Sequence, residues 1–302
     1  MAESAGELQA RLREQRYVCP RSLAVALHLA DRLGKPLLLE GPPGVGKSDV
    51  ARAWAAVHGV ELIRLQCYEG LDEARALYEW AYGKQLLYTQ LLRERVGELL
   101  GGTGTLAAAV ERLRGEADAL FSDAFLLPRP LLRAITAGER VVLLIDEVDR
   151  ADEAFEAFLL EVLGDFQISI PELGTVRARV RPRVIVTSND TRDLSDALRR
   201  RCLFQHIGYP PFEEELAILE AHVPSLDSAF AAQIVRFAQA VRRSDLRKRP
   251  GIAETVDWAL ALAAVGAESL GGAALQETLG ALLKTREDLE QVGADAARLR
   301  RG

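Results

Sequence analysis

Residues 41–48 are GPPGVGKS, and this glycine-rich stretch decides how the fold of the 302-residue chain is interpreted. It satisfies the pattern G-x-x-x-x-G-K-[ST] without a mismatch. The apolar run PLLLE precedes it at 36–40, and the helix-patterned DVARAWAAVHG follows at 49–59. A buried strand, a glycine-rich turn and a helix in this order form a phosphate-binding loop. The context therefore predicts a nucleotide site and disfavours a merely structural glycine turn.

The residue types of this loop suit a phosphate chain and a metal ion. Its glycines let backbone N–H groups turn towards phosphate oxygens, and the following helix presents its positive N-terminus to them. We expect Lys47 to reach the β- and γ-phosphates of ATP and Ser48 to bind Mg²⁺. The other loop residues expected around the phosphates are Gly41, Pro42, Pro43, Gly44, Val45 and Gly46.

Two carboxylates follow a second buried strand. The run VVLLI occupies 141–145, and Asp146 and Glu147 come directly after it. Open α/β sheets present their ligand groups at the carboxyl ends of the strands. We expect Asp146 to hold the Mg²⁺ shell and Glu147 to activate the attacking water as a general base. The alternative is a pair that only caps the next helix, but the phosphate loop on the same chain favours the catalytic interpretation.

Polar residues also follow a third buried run, VIVTSND at 184–190. Asn189 suits a side chain that orients the lytic water or senses the γ-phosphate, and an Asx turn is the alternative. Arg199, Arg200 and Arg201 come next on a helix-patterned segment. One or two of them could serve as an arginine finger, which neutralises charge on the transferring phosphate. Solvated surface charge is the alternative.

The pattern divides the chain at about residue 210. Residues 1–210 alternate buried apolar runs with helix-patterned segments, which predicts an α/β domain with a parallel sheet. Within it, 70–135 is mostly helix-patterned, and the alternating runs at 166–178 predict a β-hairpin. Residues 211–302 have a helical pattern throughout, which predicts a smaller helical domain.

The bulk composition limits the classes of partner. Hydrophobic residues make up 49% of the chain and charged residues 27%, which is typical of a globular protein. The net charge of −6 gives no general attraction to nucleic acid or to acidic membranes. Three dispersed cysteines match neither a metal site nor a disulfide framework, and no apolar run is long enough for a membrane span. We therefore expect a cytoplasmic protein without a membrane span, and we do not expect nucleic acid as a partner.

The order of the motifs resembles that of an AAA+ ATPase. Walker A lies at 41–48, Walker B at 141–147 and sensor 1 at Asn189, and the arginines follow. More narrowly, the chain is similar to the MoxR family, in the branch of ATPases linked to carbon monoxide dehydrogenase maturation. The segments that carry this resemblance are LQCYEGLDEARALYEWAYGKQLL (65–87), LLIDEVDRADEAFEAFLLEVL (143–163), ISIPELGTVRA (168–178), LSDALRRRCL (194–203) and KRPGIAETVDWALAL (248–262).

This resemblance implies an architecture and an assembly. The fold would be an α/β P-loop NTPase of the AAA+ type, with a parallel sheet sandwiched by helices. A helix insertion would lie within about 68–130, the hairpin at 166–178, and a C-terminal α-helical lid at 211–302. Such proteins assemble as rings, usually hexamers, with ATP between neighbouring subunits.

The resemblance also assigns roles to residues outside the Walker motifs. Arg201 matches the position of the arginine finger, and Arg200 is the alternative. Arg249 or Lys248 is the nearest match to sensor 2. Tyr17 and Val18 are where such proteins contact adenine.

The implied function is Mg²⁺-dependent ATP hydrolysis that drives chaperone-like remodelling or maturation of a client protein, such as a metalloenzyme. The partner would be a protein with a von Willebrand factor A (VWA) domain. A DNA-associated AAA+ motor or loader is an alternative, suggested by the basic runs at 177–183 and 242–249. A P-loop switch or small-molecule kinase is a third, but the chain has no N-K-x-D segment, and Glu147 beside Asp146 favours activation of water.

Overall fold

The computed structural model describes residues 3–84, 86, 87, 90, 126–170 and 174–300. The strands of these residues, in chain order, are β1 Leu37–Glu40, β2 Leu62–Gln66, β3 Tyr78–Trp80, β4 Leu126–Pro128, β5 Val142–Asp146, β6 Gln167–Ile170, β7 Gly174–Arg177, β8 Arg183–Ser188 and β9 Leu203–His206. The helices are α1 Ala5–Glu14, α2 Arg21–Leu33, α3 Lys47–His58, α4 Glu73–Leu77, α5 Pro130–Thr136, α6 Glu153–Asp165, α7 Asp196–Arg201, α8 Phe212–His222, α9 Ser228–Arg242, α10 Ile252–Ala264, α11 Gly272–Leu282 and α12 Arg286–Leu299.

The central sheet has five parallel strands in the order β2-β5-β8-β1-β9. Its inner strands β1, β5 and β8 are mostly apolar, because helices cover both faces of the sheet and successive side chains point to opposite faces. Leu37 and Leu39 pack with α1, α2 and α3 on one face, while Leu38 and Leu143 pack with α4, α5 and α6 on the other. This arrangement confirms the predicted parallel sheet sandwiched by helices.

Strand β9 at the sheet edge was not anticipated from the sequence. It pairs in parallel with β1, and Phe204 lies opposite Leu38. Because one side of an edge strand has no neighbour, its side chains are only partly covered, and Phe204 is 53% exposed. The four residues LFQH therefore lack the apolar run that identifies an inner strand.

Two antiparallel strand pairs extend from the core. Strands β6 and β7 pair with Ile168 opposite Val176, within the segment where the pattern predicts a hairpin. Strands β3 and β4 pair with Tyr78 opposite Pro128, where the helix-like pattern of 70–135 suggested no strand. The central part of the predicted helix insertion, 91–125, lies outside the described residues.

After β9 the described chain forms helices only, from Phe212 to Leu299. These helices have their own apolar cluster, in which the rings of Phe237 and Trp258 lie 5.2 Å apart. The buried indole Nε1 of Trp258 donates to the hydroxyl of Thr278 at 2.9 Å, so its polar atom is satisfied. Among the described residues, no helix combines the length and the apolar character that crossing a membrane requires.

Candidate nucleotide-binding site

A cavity of about 830 Å³ lies between the carboxyl end of the sheet, helix α3 and the helical region after residue 211. Its volume is in the range of sites for small molecules and cofactors. The cavity brings together residues that the sequence analysis selected from distant segments. Those that line it are Tyr17, Val18, Pro43, Gly44, Val45, Gly46, Lys47, Ser48, Asp146, Glu147 and Asn189.

The backbone of the phosphate-binding loop requires glycine, as Gly44 and Gly46 illustrate. Gly46 has φ +88° directly before α3, a left-handed conformation that side chains other than glycine rarely adopt. Gly44 has φ +77° and contacts Gly251. A Cβ added to Gly251 would lie only 2.7 Å from the Cα of Gly44. The Gly44 carbonyl also accepts from the Ile252 N–H at 2.7 Å. The first turn of α10 is therefore in direct contact with the loop.

Lys47 is buried at the centre of the loop. Its Nζ donates to the carbonyls of Gly41 and Pro42, both at 2.8 Å. Burial lowers the pKa of Lys47, and the carboxylates of Asp149 and Asp146 oppose this effect. An ammonium group has three donors, so one N–H remains for an anion in the cavity.

Asp146 receives donors on both carboxylate oxygens. Its Oδ1 accepts from the hydroxyls of Ser48 at 2.7 Å and Thr187 at 2.6 Å. Its Oδ2 accepts from Nε and Nη2 of Arg64, at 2.9 Å and 2.6 Å. The Thr187 hydroxyl in turn accepts from the backbone N–H of Glu147 at 2.8 Å. The carboxylate is therefore fixed in position beside the first turn of α3.

Glu147 has φ +55°, an uncommon conformation for a residue with a side chain, and such conformations cluster at functional sites. Its Oε1 accepts from the Asn189 amide at 3.3 Å. Its Oε2 accepts from Gln66 at 3.0 Å and from Arg150 at 3.1 Å. The predicted general base and the predicted water-orienting amide are therefore in direct contact.

The donors present fit a magnesium ion. Mg²⁺ is usually bound by one or two carboxylates together with substrate phosphates, and the Ser48 hydroxyl lies 2.7 Å from the Asp146 carboxylate beside the phosphate loop. Within the described residues, no group of three or more His, Cys, Asp or Glu side chains could hold a metal ion. Phosphate oxygens and water would complete the shell. Cys67 is fully buried nearby, and burial raises the pKa of its thiol to about 12, so it is an inert neighbour.

Apolar side chains also line the cavity. Tyr17 and Val18 line it from the chain before α2, and Ile252 and Val256 line it from α10. Burial raises the pKa of the Tyr17 phenol, which stays neutral. A flat base suits such a surface, since it offers two apolar faces for packing.

The predicted arginines lie elsewhere. Arg199 pairs with Glu40 at 2.8 Å. Arg200 and Arg201 are exposed on α7 and are not among the residues that line the cavity, and the Arg201 guanidinium packs against Gly164 of α6. Arg249 is exposed as well and does not line the cavity, so its sensor-2 role stays a prediction.

Arg64, Gln66 and Thr187 contact the two carboxylates but were not selected from the sequence. Each is a polar residue within a strand that is otherwise largely apolar. A polar residue in such a strand indicates a candidate site residue. Arg64 and Gln66 alternate with apolar residues on β2, and Thr187 follows the apolar run of β8.

Comparison with known proteins finds a family model that matches the region of this cavity. The model of the family "AAA domain (dynein-related subfamily)" matches residues 36–202, which contain the loop, both carboxylates, Asn189 and the three arginines. The curated proteins include no significant match.

Solved structures with a similar fold include RuvB of Thermotoga maritima. One point mutant of that protein is 19% identical, with 99% of this chain and 80% of that chain covered, and a TM-score of 0.51. The RuvB structure described as a Holliday junction branch migration motor is 18% identical, with 97% and 77% covered and a TM-score of 0.47. At this identity, the likeness to the point mutant concerns the fold alone.

Proposed function

Because the chain belongs to the dynein-related subfamily of AAA domains, a family of AAA+ P-loop NTPases, we propose that it hydrolyses ATP with Mg²⁺ and uses the energy to remodel a client protein. One observation carries the hydrolysis proposal. The pairs Ser48–Asp146 and Asn189–Glu147 are joined by hydrogen bonds through Thr187, and all of these residues line one cavity with Lys47.

Some residues of the site bind the phosphates and the metal ion, and others act on the attacking water. Lys47 and the backbone N–H groups of the loop bind the phosphates. Ser48 and Asp146 would hold the Mg²⁺ ion, which supplies neutralisation of charge on the phosphate oxygens. Glu147 accepts a proton from the attacking water, and the Asn189 amide, 3.3 Å from Glu147, orients that water.

The position of the arginines supports an oligomer. Arg200 and Arg201 are exposed and do not line the cavity of their own chain. If Arg200 or Arg201 neutralises a γ-phosphate, it would then be the phosphate bound by a neighbouring subunit. A ring, as in the resemblance to MoxR proteins, provides such a neighbour at every site.

The hydrolysis proposal is tested with Glu147→Gln. The substitution keeps the size of the side chain but removes the base, so phosphate release should fall by about 10²- to 10⁴-fold. Binding of ATP should persist, because the loop and Asp146 are intact. The measurement is Mg²⁺-dependent phosphate release beside equilibrium binding of ATP.

Glu153→Gln is the matched control, because Glu153 is exposed in the first turn of α6 and does not line the cavity. Its turnover should equal that of the unchanged protein. Turnover that persists in Glu147→Gln would mean that another group is the base. Absence of turnover in the unchanged protein, with and without candidate partners, would refute the ATPase proposal.

The finer proposal is a MoxR-type chaperone that matures a client such as a metalloenzyme with a VWA-domain partner. It is supported by the segments 65–87 and 248–262, which resemble that branch. The test is a pull-down with the ATP-loaded Glu147→Gln variant, with the mass of the complex measured. A six-subunit ring that carries a VWA-domain protein is expected, and a monomer without such a partner would contradict the proposal.

Recovered DNA would instead favour the alternative of a DNA motor. Two arginines of the basic runs are committed to ion pairs within the chain. Arg183 pairs with Asp31 at 2.8 Å, and Arg242 pairs with Glu215 at 2.8 Å. The runs therefore offer fewer available cations than the sequence suggests.

A further inference from the structure

Arg64 of strand β2 forms an ion pair with Asp146, the carboxylate that is expected to bind the metal ion. Both Nε and Nη2 of Arg64 donate to the same oxygen, Oδ2 of Asp146, at 2.9 Å and 2.6 Å. The Asp146 side chain is only 2% exposed, whereas the Arg64 side chain is 53% exposed. The carboxylate is thus fixed, while the guanidinium lies at the solvent boundary and can leave without unpacking the core.

The same arginine is connected to the predicted base. Nη2 of Arg64 also donates to Oε1 of Gln66, two residues further along the same face of β2. The amide of Gln66 then donates to Oε2 of Glu147 at 3.0 Å. A continuous series of hydrogen bonds therefore runs from Asp146 through the two β2 side chains to Glu147.

We propose that Arg64 is a positioning residue that competes with Mg²⁺ for Asp146 and so links metal binding to the hydrogen bonding of Glu147. The inference rests on the proposed Mg²⁺·ATP site. Oδ1 of Asp146 already accepts from Ser48 and Thr187. The remaining lone pairs are on Oδ2, which accepts both hydrogen bonds from Arg64.

The competition follows from charge and access. A divalent cation near Asp146 repels the guanidinium and attracts the carboxylate, and the exposed arginine gains hydration when it leaves. Once Arg64 has moved, Gln66 loses its donor and can reorient. Its hydrogen bond to Glu147 then changes, so arrival of the metal alters the contacts of the base.

The test measures the affinity for an ATP analogue that carries a fluorescent N-methylanthraniloyl group while the Mg²⁺ concentration is varied. Removal of the competitor in Arg64→Ala should lower the half-saturating Mg²⁺ concentration by about fivefold, the effect of one partly exposed ion pair. Arg64→Lys keeps the charge but provides a more compact donor, so its value should lie between the two. Thermal unfolding establishes that each variant is folded.

Arg133→Ala is the matched control. The Arg133 side chain is 50% exposed and pairs with the exposed Glu61 at 2.6 Å, so its loss should leave the Mg²⁺ titration unchanged. A half-saturating concentration that is unchanged or higher in Arg64→Ala would overturn the competition. Failure of the unchanged protein to bind the analogue at any Mg²⁺ concentration would instead refute the proposed function.

The link to Glu147 has its own readout. If Arg64 acts on the base through Gln66, the effects of Arg64→Ala and Gln66→Ala on kcat should not be additive, and the double variant should resemble Gln66→Ala. Additive effects would overturn the link.

Discussion

Two arginine–carboxylate pairs of this molecule have the same chemistry but differ in burial. Arg64 pairs with Asp146 at 2.6 Å in the α/β domain, and Arg242 pairs with Glu215 at 2.8 Å in the helical region. The two carboxylate side chains are 2% and 1% exposed, but the arginines are 53% and 8% exposed. Water or a metal ion can replace the Arg64 guanidinium on its carboxylate, whereas the Arg242 guanidinium is enclosed by protein. Burial of the cation therefore separates an exchangeable pair from a fixed one.

The enclosed pair stabilises the part of the helical region that faces the cavity. Arg242 donates through Nε to the Pro250 carbonyl at 2.9 Å, and its guanidinium lies 4.5 Å from the ring centroid of Tyr209. Tyr209 lines the cavity, and Pro250 immediately precedes the Gly251 that contacts the loop. Arg242 thus connects α8 and α9 to two segments beside the nucleotide site, one at Tyr209 and one directly before α10.

The largest expected effect comes from Arg242→Met. Removal of the cation leaves the buried Glu215 carboxylate with only the neutral donors Gln239 and Thr255, so its charge is uncompensated. This should lower the free energy of unfolding by about 3–5 kcal/mol. Urea unfolding followed by tryptophan fluorescence measures this loss. The double variant with Glu215→Gln should lose less, because no uncompensated charge remains. An equal or larger loss in the double variant would show that packing, and not charge, dominates.

An intermediate effect is expected from Thr187→Val at the Asp146 site. Thr187 is 1% exposed, and its hydroxyl serves both Asp146 and the backbone N–H of Glu147. Its loss leaves that N–H without its acceptor and should cost about 1–3 kcal/mol of unfolding free energy. Thr175→Val, at an exposed position of β7, is the control and should change stability by less than about 0.5 kcal/mol. Equal losses in the two variants would contradict the bonding pattern.

The smallest effect is expected from Arg64→Ala in the absence of Mg²⁺. The Arg64 guanidinium is half exposed, so water can replace it on Oδ2, and Asp146 keeps the hydroxyl donors Ser48 and Thr187. The loss of unfolding free energy should therefore be at most about 1 kcal/mol. The same urea titration measures it. A loss as large as that of Arg242→Met would mean that Arg64 is fixed, and the distinction between the two pairs would fail.

The sequence was sufficient for the inner strands and the phosphate loop, because their signals are local. Apolar runs identify β1, β5 and β8, and the glycine pattern of 41–48 depends on adjacent residues. The pair of Arg64 and Asp146 depends on the register between strands that are 82 residues apart in the chain. No local pattern contains that register, so the pair became visible only in the folded chain.

Burial explains the other differences. The run 242–249 has the appearance of a basic surface in the sequence, but the helical packing encloses Arg242 against Glu215. Strand β9 is short and half covered at the sheet edge, so its residues lack an apolar pattern. Both outcomes depend on which elements pack together, which the periodicity of a single segment does not determine.

The most direct test of the account is a crystal structure with Mg²⁺ and a non-hydrolysable ATP analogue. The phosphates should lie on residues 41–48, with a metal ion held by Ser48 and Asp146. The Arg64 guanidinium should be displaced from Asp146, while Arg242 should stay on Glu215. An analogue bound elsewhere, or an empty phosphate loop at saturating concentrations, would contradict it.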